Sequence, residues 1–218
     1  MDPQPPRRTT HTTANPQGMI VYDRWGTTGR PVVLLHGLLF DRTMWWPAAA
    51  ELATHCTVIA PDLPGHGQSP PRFDYSAERI AEEVAGIVHD LGLRRAPVLV
   101  AHGTSARLAV AFAESYACHN VLAVDRPADE TAGTVDDLIA AARLADVPPE
   151  FRSFAEPRRD PGLLAAYESW IAGPSPRLIA SVTVAMSAAV TRGAAGRESA
   201  FLHLSQPAEF AAGVRRLV

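Results

Sequence analysis

Residues Pro97–Ala113 read PVLVAHGTSARLAVAFA, and this stretch decides the architecture. Pro97–Ala101 is a short, unbroken apolar run, which predicts a buried strand. His102-Gly103-Thr104 supplies a tight turn, and from Ser105 onward small and apolar residues start a helix. Working outward, Met19–Trp25, Pro31–Leu35, Cys56–Ala60 and Asn120–Val124 are further strand candidates, separated by helical patterns. Between them, Ala77–Leu91 places Ile80, Val84, Ile87 and Leu91 on one helix face, with Ser76 as N-cap and Gly92 as stop. Strands alternating with helices predict an α/β fold, a mostly parallel sheet with helices on both faces.

Past Asp125 the pattern changes to helices alone: Thr134–Asp146, Gly162–Ile171 and Pro176–Val190, separated by Pro-rich breaks. The expected organisation is a disordered N-terminal arm (1–18), a core (19–133), a helical lid (134–190) and a C-terminal return to the core (191–218). The chain has 218 residues, 47% of them hydrophobic, which suits one compact core. A net charge of −3 with no basic stripe argues against nucleic acid as a partner. All twenty basic residues are arginine, which with abundant alanine points to a GC-rich bacterial genome. Cys56 and Cys118 form no disulfide or metal pattern, and neither metal nor cofactor is expected. No apolar run reaches the ~18 residues that a membrane span needs. Met1–Gly18 lacks the apolar stretch of a signal peptide, so a cytoplasmic protein is expected.

Five segments resemble the α/β-hydrolase superfamily. VVLLHG (Val32–Gly37) is similar to its third strand and His-Gly turn, and LLFDRTMWWP (Leu38–Pro47) to the oxyanion-hole loop. TVIAPDLPGHGQS (Thr57–Ser69) resembles the next strand and its Asp-x-x-Gly-x-Gly-x-Ser loop. Pro97–Ala113 resembles the nucleophile elbow, and Gln206–Arg216 the last helix. The resemblance implies a Ser-His-Asp triad, and this chain departs from it at each member. The register that keeps small residues (Ser105, Ala106) at the crowded elbow positions puts Gly103 where the serine belongs. The alternative Gly-x-Ser-x-Gly register would make Ser105 the nucleophile but set the bulky Arg107 at the second glycine. His203-Leu204-Ser205-Gln206-Pro207-Ala208-Glu209-Phe210 matches the segment after the family's catalytic histidine, which counts that histidine back to Ala200. His203 is then the pattern's second, structural histidine. Only Thr191–Ser199 remain for the strand and crossover that carry the acid, so the fold is expected to be truncated near strands 7–8.

What the resemblance leaves is a backbone oxyanion hole, with Leu38 and Thr104 as N–H donors beside the vacated positions Gly103 and Ala200. His36, Phe40, Met44, Trp45, His102, Asp125 and Trp170 are candidates to line an apolar substrate pocket. A core or lid-docking role for the aromatic residues stands beside that reading, as does a bracing role for Asp62 and His66. The expected function is a non-hydrolytic enzyme, a cyclase, lyase or isomerase, acting on an apolar carbonyl compound in bacterial specialised metabolism. Two alternatives stay open: a silent binding or scaffold protein, and an esterase-like hydrolase whose triad is relocated to Ser105 or Thr104 with His203 and Asp125. The expected partner is a hydrophobic small molecule, with a second copy of the chain or a biosynthetic protein as a further possibility.

Overall fold

A computed structural model describes residues 6–15, 18–124, 138, 144–158, 160–172 and 201–218. Six strands form one sheet: β1 (Thr9–Asn15), β2 (Gly18–Trp25), β3 (Pro31–Leu35), β4 (Thr57–Pro61), β5 (Val98–His102) and β6 (Asn120–Val124). Their order is β1-β2-β4-β3-β5-β6. The half built from β4, β3, β5 and β6 is parallel, and β1 and β2 extend it antiparallel. Every residue of β3, β4 and β5 is buried, so both faces of the sheet are covered, as an apolar parallel sheet requires.

Helices supply the cover. α1 (Trp46–Leu52) packs against α7 (Pro207–Arg215), and α2 (Ala77–Asp90) packs against α3 (Ala106–Ser115). In α2 the apolar face Ile80, Val84 and Ile87 is buried, as the spacing predicts. Gly92, at φ +63°, ends it in the left-handed conformation that favours glycine. Ser76 stands at the N-cap position, yet its side chain makes no cap bond; Asp74 instead accepts the Ser76 N–H at 2.8 Å.

The sequence reading needs three corrections here. Residues 1–18 are not an arm throughout, because Thr9–Asn15 pair along their whole length with β2, from Thr9↔Arg24 to Asn15↔Gly18. The helix expected at Gly162–Ile171 is two short ones, α4 (Pro161–Ala166) and α5 (Glu168–Ala172), parted at Tyr167. Of the helix expected at Thr134–Asp146, Leu138 is helical, but the described end Leu144–Asp146 is a 3₁₀ turn. The expectations for Asp125, Pro176–Val190, Thr191–Ser199 and Ala200 lie outside the described residues. Among the described residues the sheet ends at β6. α6 (Leu202–Ser205) leads into α7.

Candidate functional site

From β3 the chain moves outward to β4, then crosses back to β5 on the other side of β3. Open α/β sheets bind ligands at such a reversal, beyond the carboxyl ends of strands like β3 and β5. The parallel ladder runs through Leu34↔Val100 to Leu35↔Ala101. Just beyond it His102 packs against Gly37, and Ser105 Oγ reaches His36 O. The two turns named by the sequence therefore meet at the same edge.

Gly103 has φ +57°, a left-handed conformation that a side chain would strain. It opens a 3₁₀ turn, Gly103–Ser105, that runs into α3. Ala106 N–H bonds back to Gly103 O and Thr104 O. In the facing turn, Phe40 N donates to Gly37 O at 2.9 Å, and His36 Nδ1 donates to the same oxygen at 2.9 Å. A trans peptide points its N–H opposite to its C=O. The bonds on Gly37 O and Gly103 O thus leave the N–H groups of Leu38 and Thr104 on the opposite side of their peptides. Gly103 and Thr104 are partly exposed, whereas Leu38 is buried.

Ser105 is fully buried, and its Oγ donates to His36 O at 2.5 Å. His36 is equally buried and accepts the Leu63 N–H on Nε2 at 2.9 Å. Burial, then the neighbouring His66, push its pKa down to about 3, so it is neutral, with its proton on Nδ1. His36 therefore braces the turn, with both ring nitrogens engaged by main-chain groups. Met44 and Trp45, also expected to line the pocket, are fully buried in the core; Phe40 and Trp170 are 3% exposed each. Trp170 is occupied by docking: its Nε1 donates to Tyr75 O and its carbonyl accepts from Arg107 Nε, both at 2.9 Å. His102 packs among Phe40, Trp45 and Phe201, with its ring directly over Gly37. His203 lies fully buried 4.4 Å from the Trp45 ring centroid, and burial followed by the nearby His102 holds its pKa well below the usual histidine value. These side chains form the floor beneath the turns.

Two sets of anchors hold these loops. His66 donates from Nε2 to Leu38 O at 2.8 Å, tying the loop after β3 to the loop after β4, and Tyr167 Oη donates to Pro64 O of that second loop at 3.0 Å. Buried Arg42 bridges the buried carboxylates of Asp23 and Asp62, with Nε 3.2 Å from Asp23 and its Nη1 on Asp62. Asp62 also accepts from the N–H groups of Arg42 at 2.9 Å and Gln68 at 2.7 Å. The Asp-x-x-Gly pattern marks Asp62, but Arg42 carries no local signal, because its partners are distant in sequence. Elsewhere, Leu144, Val147, Ala155 and Pro157 line a cleft of about 340 Å³ whose lining includes none of the described pocket candidates. Among the described residues no cluster of His, Cys, Asp or Glu could hold a metal, and no helix is long and apolar enough to cross a membrane.

The chain belongs to the alpha/beta hydrolase family, whose model matches residues 32–216. It is 37% identical over 123 residues to an uncharacterized Mycobacterium tuberculosis protein, a match covering 56% of this chain and 35% of the relative. It is 32% identical over 101 residues to the 2-(acetamidomethylene)succinate hydrolase of Mesorhizobium japonicum, covering 45% of this chain and 36% of that enzyme. The chain thus spans about a third of the length of these curated relatives. A variant of the N-acyl homoserine lactonase AidH, complexed with N-hexanoyl homoserine, superposes with a TM-score of 0.61 at 18% identity. That match covers 83% of this chain and 75% of the other, and it shows the shared fold.

Proposed function

We propose that this chain uses the α/β-hydrolase frame without serine-dependent hydrolysis, as a cyclase, lyase or isomerase of an apolar, carbonyl-containing small molecule. Gly103 carries the reading: the residue at the strand-to-helix turn, left-handed at φ +57°, has no side chain with which to attack a carbonyl. Ser105, the nearest alternative nucleophile, is buried with its hydroxyl committed to His36 O. The N–H groups of Leu38 and Thr104 need no side chain to polarise a bound carbonyl oxygen. The first residues of the turn into α3 leave N–H groups without intrahelical partners, and the helix dipole adds positive potential there. A hydrolase stripped of triad members retains only a residual ~10³–10⁴-fold acceleration, so polarisation and shape are what such a site offers.

The burial of His36, His102 and His203 favours a second reading, a binding protein without turnover, since no described histidine reaches the turn as a base. Both readings expect no stoichiometric labelling by a fluorophosphonate and no p-nitrophenyl butyrate turnover above background. Labelling mapped to Ser105 or Thr104 would sink both. Native mass spectrometry of the protein incubated with a panel of apolar aldehydes, ketones and lactones then reports retention, and chromatography of the released ligand separates the two. A ligand retained and rearranged supports the enzyme; one retained unchanged across the panel supports the binder.

A further inference from the structure

We propose that Ser105 is a positioning residue whose hydroxyl locks the turn after β5 to the turn after β3. What the turns bind rests on the reading above; the lock stands on its own geometry. The last rung of the β3–β5 ladder is Leu35↔Ala101, beyond which both strands enter turns and the main-chain pairing stops. Ser105 Oγ crosses that gap to His36 O at 2.5 Å, joining residues 69 apart in sequence, in a fully buried setting.

On the β3 side, the Gly37–Leu38 peptide is fixed by Phe40 N and His36 Nδ1 on Gly37 O, and Leu38 O is held by His66 Nε2. On the β5 side, the Gly103–Thr104 peptide is fixed by Ala106 N on Gly103 O. Each turn is therefore braced internally, and the Ser105 bond sets their separation. A glycine at position 103 gives its turn more backbone freedom than any other residue would. The buried hydroxyl two residues later restrains that freedom where it matters, between the N–H groups of Leu38 and Thr104. The same bond explains why the buried serine is not a nucleophile: its proton is donated to a main-chain carbonyl, and water does not reach it.

The test uses the whole 218-residue chain, ¹⁵N-labelled, as wild type, Ser105→Ala and Ser105→Thr. The reporters are solvent exchange of the Phe40 and Ala106 amides, which close the two turns, and titration with sodium hexanoate as an apolar carboxylate probe. Ser105→Ala should speed exchange at both amides about tenfold, the equilibrium worth of one net buried hydrogen bond, and weaken hexanoate by a similar factor. Amides in β2 and α7 should stay unchanged, and Ser105→Thr, which keeps a hydroxyl, should restore the two reporters. A Ser105→Ala protein that melts lower while Phe40 and Ala106 exchange at wild-type rates makes the serine a packing residue and overturns the lock. If wild type ignores hexanoate but the two amides still respond, the lock holds and the ligand class proposed above fails. If hexanoate binds and neither amides nor affinity respond, the lock fails and the ligand class stands. Should Ser105→Ala not fold, Ser105→Cys, similar in size but a weak donor, is read by the same criteria.

Discussion

Placing a side chain on Gly103 tests the reading of the turn most directly. At φ +57° a non-glycine residue carries strain of about 1–3 kcal/mol. Restricting the unfolded chain returns ~0.4–1 kcal/mol of that, which leaves Gly103→Ser less stable by about 1 kcal/mol, and at most about 2.5. In a chain of 218 residues each kcal/mol moves the melting temperature by roughly 2–4 °C, so calorimetry should find a fall of a few degrees. The fingerprint is a ranking. Gly103→Asn should lose least, because asparagine tolerates the left-handed region, and Gly103→Val should lose most, because β-branching does not. Gly103→Ser should also leave p-nitrophenyl butyrate untouched, since among the described residues His36, His102 and His203 are buried. A melting temperature that rises with serine, or a valine variant as stable as the asparagine one, would refute the assigned turn.

Three further outcomes are expected. Arg42→Met should strand the buried carboxylates of Asp23 and Asp62 and lower the urea-unfolding free energy by about 3–5 kcal/mol; a loss under 1 kcal/mol would mean that the bridge is replaceable. His36, His66 and His203 all have folded pKa values below that of the unfolded chain, each mainly through burial. Below pH ~6.5 the unfolded chain takes up protons that the native state refuses, so stability falls with falling pH, by up to about 1.4 kcal/mol per unit for each histidine. A flat stability profile between pH 6.5 and 5 would contradict their burial. Thr104→Pro deletes one N–H at a position where a helix start tolerates proline; it should weaken hexanoate binding by roughly 2–4 kcal/mol with circular dichroism unchanged, and unaltered affinity would show the donor to be idle.

The parallel strands were legible because each is a short apolar run buried on both faces; Pro31–Leu35 and Asn120–Val124 match the structure residue for residue. β1 was missed because TTHTTAN has no apolar alternation: it is an edge strand, mostly exposed, and its pairing with β2 decides its conformation. Gly103 was legible as a departure from a local pattern whose neighbours were intact. The roles of His36, Met44 and Trp45 were not, because an apolar or imidazole side chain beside a turn looks alike whether it faces a ligand or the core. The Ser105–His36 and Arg42–Asp23 contacts join residues 69 and 19 apart, and a one-dimensional pattern does not register such bonds.

The pairing of β1 with β2 also bears on how this protein behaves at high concentration. β1 covers the outer edge of β2, where Ile20, Val21 and Tyr22 are buried. A chain trimmed to begin near Gly18 would present those residues with a full row of unsatisfied main-chain donors and acceptors, a template for self-association. The threonines of Thr9–Thr13 act as a polar selvedge to the sheet. Turbidity and light scattering should rise when they are removed, well before any loss of helix is seen.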